Sequence, residues 1–342
     1  MTQPELVSVS VDEIHRVARQ ALERAGCNQE HAQAVAWVMS RAEADGAASH
    51  GVFRLPGYLA SLASGKVDGH ARPSLASLAP SVLRVDGHGG FAPLAVQQAR
   101  LAIGPLARTQ GMAAAAVVNV HHFSALWVDI EELVKSGLVA MCFTAYMPVV
   151  APAGARQPFF GTNPMAFGWP RPGGEAMIFD QASAAMARGE IQIAARDGQA
   201  VPPGSGIGPD GLPTTDPARI LAGAQLPFGG HKGSALALMV ELLAAGLIGQ
   251  PFSVEAGEQD NHDGGPPLGG VLLLALDPAR FGDAVGWQAH SEAFFQRLLG
   301  LEGVRLPGDR RASRRARIAA LGAQLPAALW RTAVAASQPP AG

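Results

Sequence analysis

Ten histidines punctuate the chain, and one of them stands among residues that suit acid–base work. His50 lies between Ser49 and Gly51 in the loop Asp45-Gly46-Ala47-Ala48-Ser49-His50-Gly51, with Arg54 about one helical turn on. An imidazole titrates near neutrality, so such a residue can give or take a proton at working pH. A guanidinium at that spacing can grip a carboxylate through two parallel hydrogen bonds. On spacing alone, a loop histidine that merely caps the next helix stays open as the other reading. His15 and His31 fall within amphipathic stretches and read as surface residues.

Other strings look built for anions. His121-His122 follows the apolar run Ala114–Val120 and precedes a helix, so the backbone N–H groups of His122 to Leu126 would emerge from a helix N-terminus, a seat for phosphate. A zinc site is the weaker alternative, because adjacent histidines do not share a helix face and no H-E-x-x-H or carboxylate at ligand spacing accompanies them; no metal is expected. Gly229-Gly230-His231-Lys232-Gly233-Ser234 opens an apolar helix and carries one of only three lysines, the others being Lys66 and Lys135. A cation at a helix start opposes the helix dipole unless an anion sits there, and a phosphate is the simplest resolution; an exposed loop lysine is the alternative. Arg305, Arg310, Arg311, Arg314, Arg315 and Arg317 crowd together, which reads as a solvated helix face or, for the first part, as a phosphate contact. Asp180 ends the run Met177–Phe179, where α/β sites commonly lie. Glu190 follows a glycine and could tune a histidine. Thr162 offers a hydroxyl within Gly161-Thr162-Asn163-Pro164, a string that turn formation explains equally well. No G-x-G-x-x-G follows a strand and no G-x-x-x-x-G-K-[ST] occurs, which argues against a Rossmann site or a P-loop. The residues themselves point to a phosphorylated cofactor held near a protonatable histidine.

These groups need a scaffold. Ser10-x-x-Glu13 is a capping box, followed by Ile14, Val17, Ala18, Ala21 and Leu22 on one helical face and Gly26 as the stop. Asn28 can cap a second helix with Val35, Val38, Met39 and Ala42 on its inner face, and a third helix is expected from Phe53 to about Ser64. Apolar runs predict buried strands at Val82–Val85, Ala114–Val120, Leu138–Phe143, Met177–Phe179 and Val271–Leu276. Helices are predicted near Leu94–Arg108, Leu126–Ser136 and Ser234–Leu247, the last apolar nearly all round and so expected to be central. Residues 198–216 and 254–270 read as long loops, the second a mobile one. The alternation predicts an α/β fold with a helical N-terminal unit: residues 1–75 carrying the Ser-His loop, 76–300 an α/β region for cofactor and substrate, and 301–342 an Arg-rich segment packing back on the cofactor site.

Composition sets the outer limits. With 342 residues, 48% hydrophobic and 16% charged, the chain can bury a sizeable core. Its 26 basic against 28 acidic residues argue against a nucleic-acid or anionic-membrane binder. Cys27 and Cys142 are too few for a disulfide framework or a Cys-based zinc site. The first residues lack a signal-peptide pattern, and the segment Ala235–Gly249, interrupted by Glu241, is too short to span a bilayer. A cytoplasmic enzyme is the expectation.

Taken in order, Ser49-His50-Gly51-Val52-Phe53-Arg54, His121-His122-Phe123, Gly161-Thr162-Asn163-Pro164-Met165-Ala166-Phe167, Pro213-Thr214-Thr215-Asp216-Pro217 and Gly230-His231-Lys232-Gly233 resemble the malate/L-lactate dehydrogenase family of NAD(P)-dependent oxidoreductases that lack a Rossmann fold. The resemblance runs from about residue 10 to 320. His122-Phe123-Ser124-Ala125-Leu126-Trp127, the acidic Glu190 and the string Leu226–Lys232 look most like the branch that reduces Δ1-piperideine-2-carboxylate and Δ1-pyrroline-2-carboxylate. It implies a non-Rossmann NADP-binding fold with a mixed central sheet. It further implies His50 as proton donor in a relay with Ser49 and Glu190, and Arg54 and Thr162 on the substrate. Contacts to NADP(H), with NAD(H) as an alternative, would come from His122, Phe123, Ser124, Ala125 and Leu126, from Asp180, Gln181 and Ala182, from His231 and Lys232, and from Arg305, Leu306, Pro307, Gly308, Asp309, Arg310 and Arg311. The implied partners are a small cyclic imine carboxylate and a second copy of the chain. A 2-oxo-acid reductase of the same family and a non-catalytic NADP-binding protein are the competing readings, with a metallohydrolase last.

Overall fold

The computed structural model describes residues 5–339 apart from Ser124 and Gly174. The N-terminal segment forms β1 (Leu6–Val9), α1 (Val11–Arg24), α2 (Gln29–Ala44) and, after two 3-10 turns at Ala48–His50 and Val52–Arg54, α3 (Leu55–Ala63). Ser10 caps α1 by accepting from the Glu13 amide, and Ile14, Val17, Ala18, Ala21 and Leu22 are all buried, as the spacing predicts. Each large aliphatic side chain so removed from water contributes roughly 1.5–3 kcal/mol. Asn28 caps α2 through the His31 amide at 2.8 Å. His31 itself is not a surface residue. It is fully buried, donates from Nε2 to the Ala71 carbonyl at 2.9 Å, and meets the Phe91 ring edge-on.

The middle of the chain supplies β2 (Ser74–Ala79), β3 (Val82–Phe91), α4 (Ala92–Gln110), β4 (Met112–His121), α5 (Leu126–Lys135), β5 (Val139–Thr144), β6 (Met165–Trp169) and β7 (Met177–Gln181). Then follow α6 (Arg188–Arg196), β8 (Gly206–Ile207), β9 (Pro213–Thr214), α7 (Pro217–Ala222), β10 (Ala224–Gln225), α8 (His231–Glu241), α9 (Ser253–Gln259), β11 (Leu268–Leu276), α10 (Trp287–Leu299), α11 (Asp309–Leu321), β12 (Ala323–Pro326) and α12 (Ala327–Ser337). Seven strands form one mixed sheet in the order β2-β3-β4-β11-β5-β6-β7. The β3–β4 pair, joined by α4, is parallel, and the other neighbours are antiparallel. This is the α/β, mixed-sheet, non-Rossmann architecture expected. Ala115, Val117, Cys142 and Leu273 pack on one face with α4 and α5, while Ala116, Val118, Phe143 and Leu272 pack on the other with Val240 and Ala244. Burial on both faces is why these strands read as continuous apolar runs. At the far end of the chain, β12 pairs antiparallel with β1, and α12 packs on α1, so both termini of the fold belong to one apolar cluster.

Three expectations need correction. The helix opened by His231 is not central: Val240 and Ala244 face the sheet, but Leu238, Leu242 and Leu247 are 49%, 53% and 67% exposed. It loosens after Glu241 into a π turn closed by the Leu247 amide on the Leu242 carbonyl, an i to i+5 bond. Residues 198–216 are not a plain loop, because β8 sits between β9 and β10 in a small antiparallel sheet. Nor are residues 254–270 free: α9 occupies the first part, and Lys66 pairs with Asp260 and Asp263 to tie the rest to α3.

Candidate active site

The Ser-His loop is held from below by a carboxyl group. Glu43, buried in α2, accepts from the Val52 amide at 2.8 Å. A Cβ on Gly51 would fall 2.0 Å from Glu43 Oε1, so only glycine lets the chain close over it. Burial pushes the Glu43 carboxyl up to about 7. Side chains of adjacent residues diverge on a regular strand or helix, but the 3-10 turn at Ala48–His50 brings Ser49 Oγ within 3.0 Å of His50 Nδ1. The imidazole stands edge-on to Trp127, 6.1 Å between centroids. Burial first, then the charges of Arg54 and His122, lower its basicity to about 3, so the ring is neutral at pH 7.

Arg54 leaves the adjacent turn. Its Nε donates to the Ser49 carbonyl at 2.7 Å and its Nη1 to Gln192 Oε1 at 3.3 Å, while the guanidinium lies 4.7 Å from the Phe123 ring centroid. Gly189 permits this approach, since a Cβ there would meet Arg54 Nη2 and Ser49 Cβ at 2.8 Å each. Burial lowers the basicity of Arg54, and only Tyr146 and Tyr58, no carboxylate, oppose that shift. Thr162 is carried by a strand entry pinned by Asn163, whose amide donates to Glu241 at 2.8 Å and accepts from the Tyr146 amide at 3.2 Å.

Ser49, His50, Arg54, His122, Phe123, Thr162, Asp180, Gln181, Ala182 and Glu190 all line one cavity of about 430 Å³. Glu190 lies exposed at its edge, and among the described residues no hydrogen bond joins it to Ser49 or His50. Ala125 and Leu126 are buried behind the wall at the start of α5. At that helix start the Trp127 amide donates to Asp180 at 3.2 Å. Burial raises the Asp180 carboxyl to about 6 against the pull of those amides and of Arg311. His122 turns inward, 3.4 Å from buried Asp129, and no group of three metal-ligating side chains occurs among the described residues. His231 and Lys232 stand exposed at the start of α8, where Gly229 and Gly230 both take positive φ and no side chain caps the helix. Arg305, Leu306, Pro307, Gly308 and Arg310 line a separate open depression, while Asp309 accepts from the Leu306 amide. Ser124 lies outside the described residues.

The Arg run is not one solvated face. Arg310 and Arg317 point outward and Arg314 reaches the cavity rim, but Arg315 clasps Asp45 at 2.6 and 2.9 Å and Glu131 at 2.8 Å. Arg311 reaches the Ile178 carbonyl and covers the Trp127 ring at 4.9 Å. The lining also includes Trp127, Thr144, Tyr146 and Arg188, to which sequence reasoning assigned no role. Arg188 stood directly before the Gly189-Glu190 pair that drew attention, and its cavity position depends on a turn that local pattern does not show.

A mixed sheet without the Rossmann crossover, a deep cavity at strand ends, and a His-Arg pair on its wall define an α/β oxidoreductase type distinct from the dinucleotide-fold dehydrogenases. A family model described as Malate/L-lactate dehydrogenase matches residues 9–333, and the chain belongs to that family. It is 52% identical over 328 residues to a Delta(1)-pyrroline-2-carboxylate reductase of Ancylobacter novellus, covering 95% of this chain and 96% of that one. A Delta(1)-pyrroline-2-carboxylate/Delta(1)-piperideine-2-carboxylate reductase of Pseudomonas aeruginosa is 46% identical over 332 residues, 96% of this chain and 99% of the relative. Among solved structures, the delta1-piperideine-2-carboxylate reductase of Pseudomonas syringae pvar. tomato superposes with a TM-score of 0.91 at 45% identity, covering 96% and 99% of the two chains.

Proposed function

We propose that this protein is an NADPH-dependent reductase of cyclic imine carboxylates, converting Δ1-pyrroline-2-carboxylate, Δ1-piperideine-2-carboxylate or both to L-proline and L-pipecolate. The observation that carries the reading is a guanidinium without a carboxylate partner among the described residues, Arg54, set beside the Ser49–His50 pair on the wall of one cavity. The names and near-full coverage of the relatives support it.

The chain's donors suit a dinucleotide. An uncapped helix start with Lys232, and the exposed Arg305 and Arg310, supply cations for phosphates, and their surplus favours NADP(H) over NAD(H). Asp180, Gln181, Ala182, His122 and Phe123 line the same cavity as His50. The reduced nicotinamide, when bound, supplies the hydride for the imine carbon. Arg54 holds the substrate carboxylate and so fixes which ring face is presented, with Thr162 beside it. Burial is the first cause of the His50 depression and persists, but that carboxylate offsets the Arg54 charge, the second cause, and so returns part of the imidazole's basicity once substrate is seated. His50 then holds a proton at the imine nitrogen, where the C=N electron pair goes. Ser49 orients the ring through Nδ1, and Glu190, exposed at the cavity edge and bonded to neither, joins the relay only through solvent.

The assembly we propose is a homodimer that covers Leu238, Leu242 and Leu247, a face too apolar to favour water; a monomer by light scattering at micromolar concentration would refute it. No described helix is long and apolar enough to cross a membrane, and two free, buried cysteines suit a reducing compartment, the cytoplasm. The function is tested by steady-state rates on both cyclic imines, pyruvate and oxaloacetate with each nicotinamide cofactor. Faster turnover of the cyclic imines with NADPH is expected, and faster oxo-acid reduction would overturn the reading.

A further inference from the structure

The cavity wall holds a second guanidinium that the reaction above does not use. Arg188 opens α6, lines the same cavity as Arg54, and makes no hydrogen bond or ion pair among the described residues. Its basicity is lowered by burial and by the Arg54 charge, and Tyr146 alone opposes that shift. A cation on the first residue of a helix is also disfavoured by the helix dipole. Two half-buried guanidinium groups without acids are more than one monocarboxylate needs, and a protonated imine would add a third positive charge. By contrast, Arg171, Arg196, Arg219 and Arg315 each hold a carboxylate at 3.0 Å or less.

We propose that Arg188 forms a second anion subsite, which lets the enzyme take cyclic imines that carry a further carboxylate elsewhere on the ring. The first carboxylate sits on Arg54 and the second on Arg188, with the ring between them and Tyr146 and Phe123 as apolar walls. The chemistry at the C=N bond is unchanged, and the second anion adds binding and selects ring orientation. This rests on the imine-reductase reading for its substrate class, but its test does not depend on turnover.

Flat ring analogues provide that test. Equilibrium binding of pyridine-2-carboxylate is compared with that of pyridine-2,4-, 2,5- and 2,6-dicarboxylate on the full chain, with and without NADPH. At least one dicarboxylate is expected to bind roughly ten-fold more tightly, the scale of one added charge-assisted contact. The gain should vanish in Arg188→Gln and survive in part in Arg188→Lys. Equal binding of mono- and dicarboxylates by the unaltered protein would overturn the proposal even if the variants fail to fold. So would a dicarboxylate advantage that persists in a folded Arg188→Gln. Failure of the imine-reductase reading would show separately, as absent turnover of the monocarboxylate imines.

Discussion

Two regions of the molecule, the network between α11, α2 and α5 and the cavity wall at α6, treat charge in opposite ways. Towards α11, cations are matched: Arg315 bridges Asp45 and Glu131, Arg41 joins Glu131, and Trp127 donates to Asp45 at 2.8 Å. Towards α6, Arg54 meets only carbonyl, amide and aromatic groups, and Arg188 has no hydrogen bond or ion pair among the described residues. The carboxylates in the first region raise Arg315 well above its ordinary value, whereas burial lowers Arg54 and Arg188. A buried charge must find a partner. In one region the chain supplies that partner, and the network ties α11 to α2 and α5. In the other the chain withholds it, and a ligand supplies it.

The contrast can be broken by substitution. Arg54→Leu should lower kcat/KM for a cyclic imine carboxylate by about 2–5 kcal/mol of binding, and Arg54→Lys should not restore it, because an ammonium lacks the planar fork. Folding stability should hardly change in either variant; a collapse of the urea midpoint would show that Arg54 is structural instead. Arg315→Leu should do the reverse. Leaving Asp45 and Glu131 unpaired should cost up to about 3 kcal/mol of stability, read as a lowered urea midpoint. A midpoint unmoved by that change would erase the distinction between the two regions.

Glu43 sharpens the comparison further, since it has no cation and a proton takes that place. Its folded value of about 7 exceeds that of an unfolded glutamate, so the folded state binds more protons over that interval. Its stabilising contribution is therefore full below about pH 4.5 and is lost as pH rises through 7. Glu43→Gln keeps an oxygen for the Val52 amide and cannot ionise. Relative to the parent, it should gain about 1–3 kcal/mol between pH 5 and 8. Parallel pH–stability curves would remove Glu43 as an ionisable prop of the His50 loop.

Local features were legible in the sequence, and long-range ones were not. The Ser10 capping box, the buried face of α1 and the apolar strands β3, β4, β5 and β11 carry their signal within a few residues. His50 and Arg54 reach the same cavity because one short stretch of turns carries both. His31 misleads because its partner, the Ala71 carbonyl, lies 40 residues on. Strand β2 is exposed along its length, and β1 exists only because β12 returns from the far end of the chain, so neither shows an apolar run. The outward Leu238 and Leu242 gave α8 the composition of a core helix, although one side lacks a neighbour within the chain. Arg311 and Arg315 look like their exposed neighbours until the fold brings Asp45, Glu131 and Trp127 beneath them.

The most direct test is turnover of Δ1-pyrroline-2-carboxylate by His50→Ala, measured beside its affinity for NADPH. The account requires kcat to fall roughly 10²–10⁴-fold while NADPH binds within about two-fold of the unaltered protein. Turnover within about ten-fold of the parent would contradict the role given to His50.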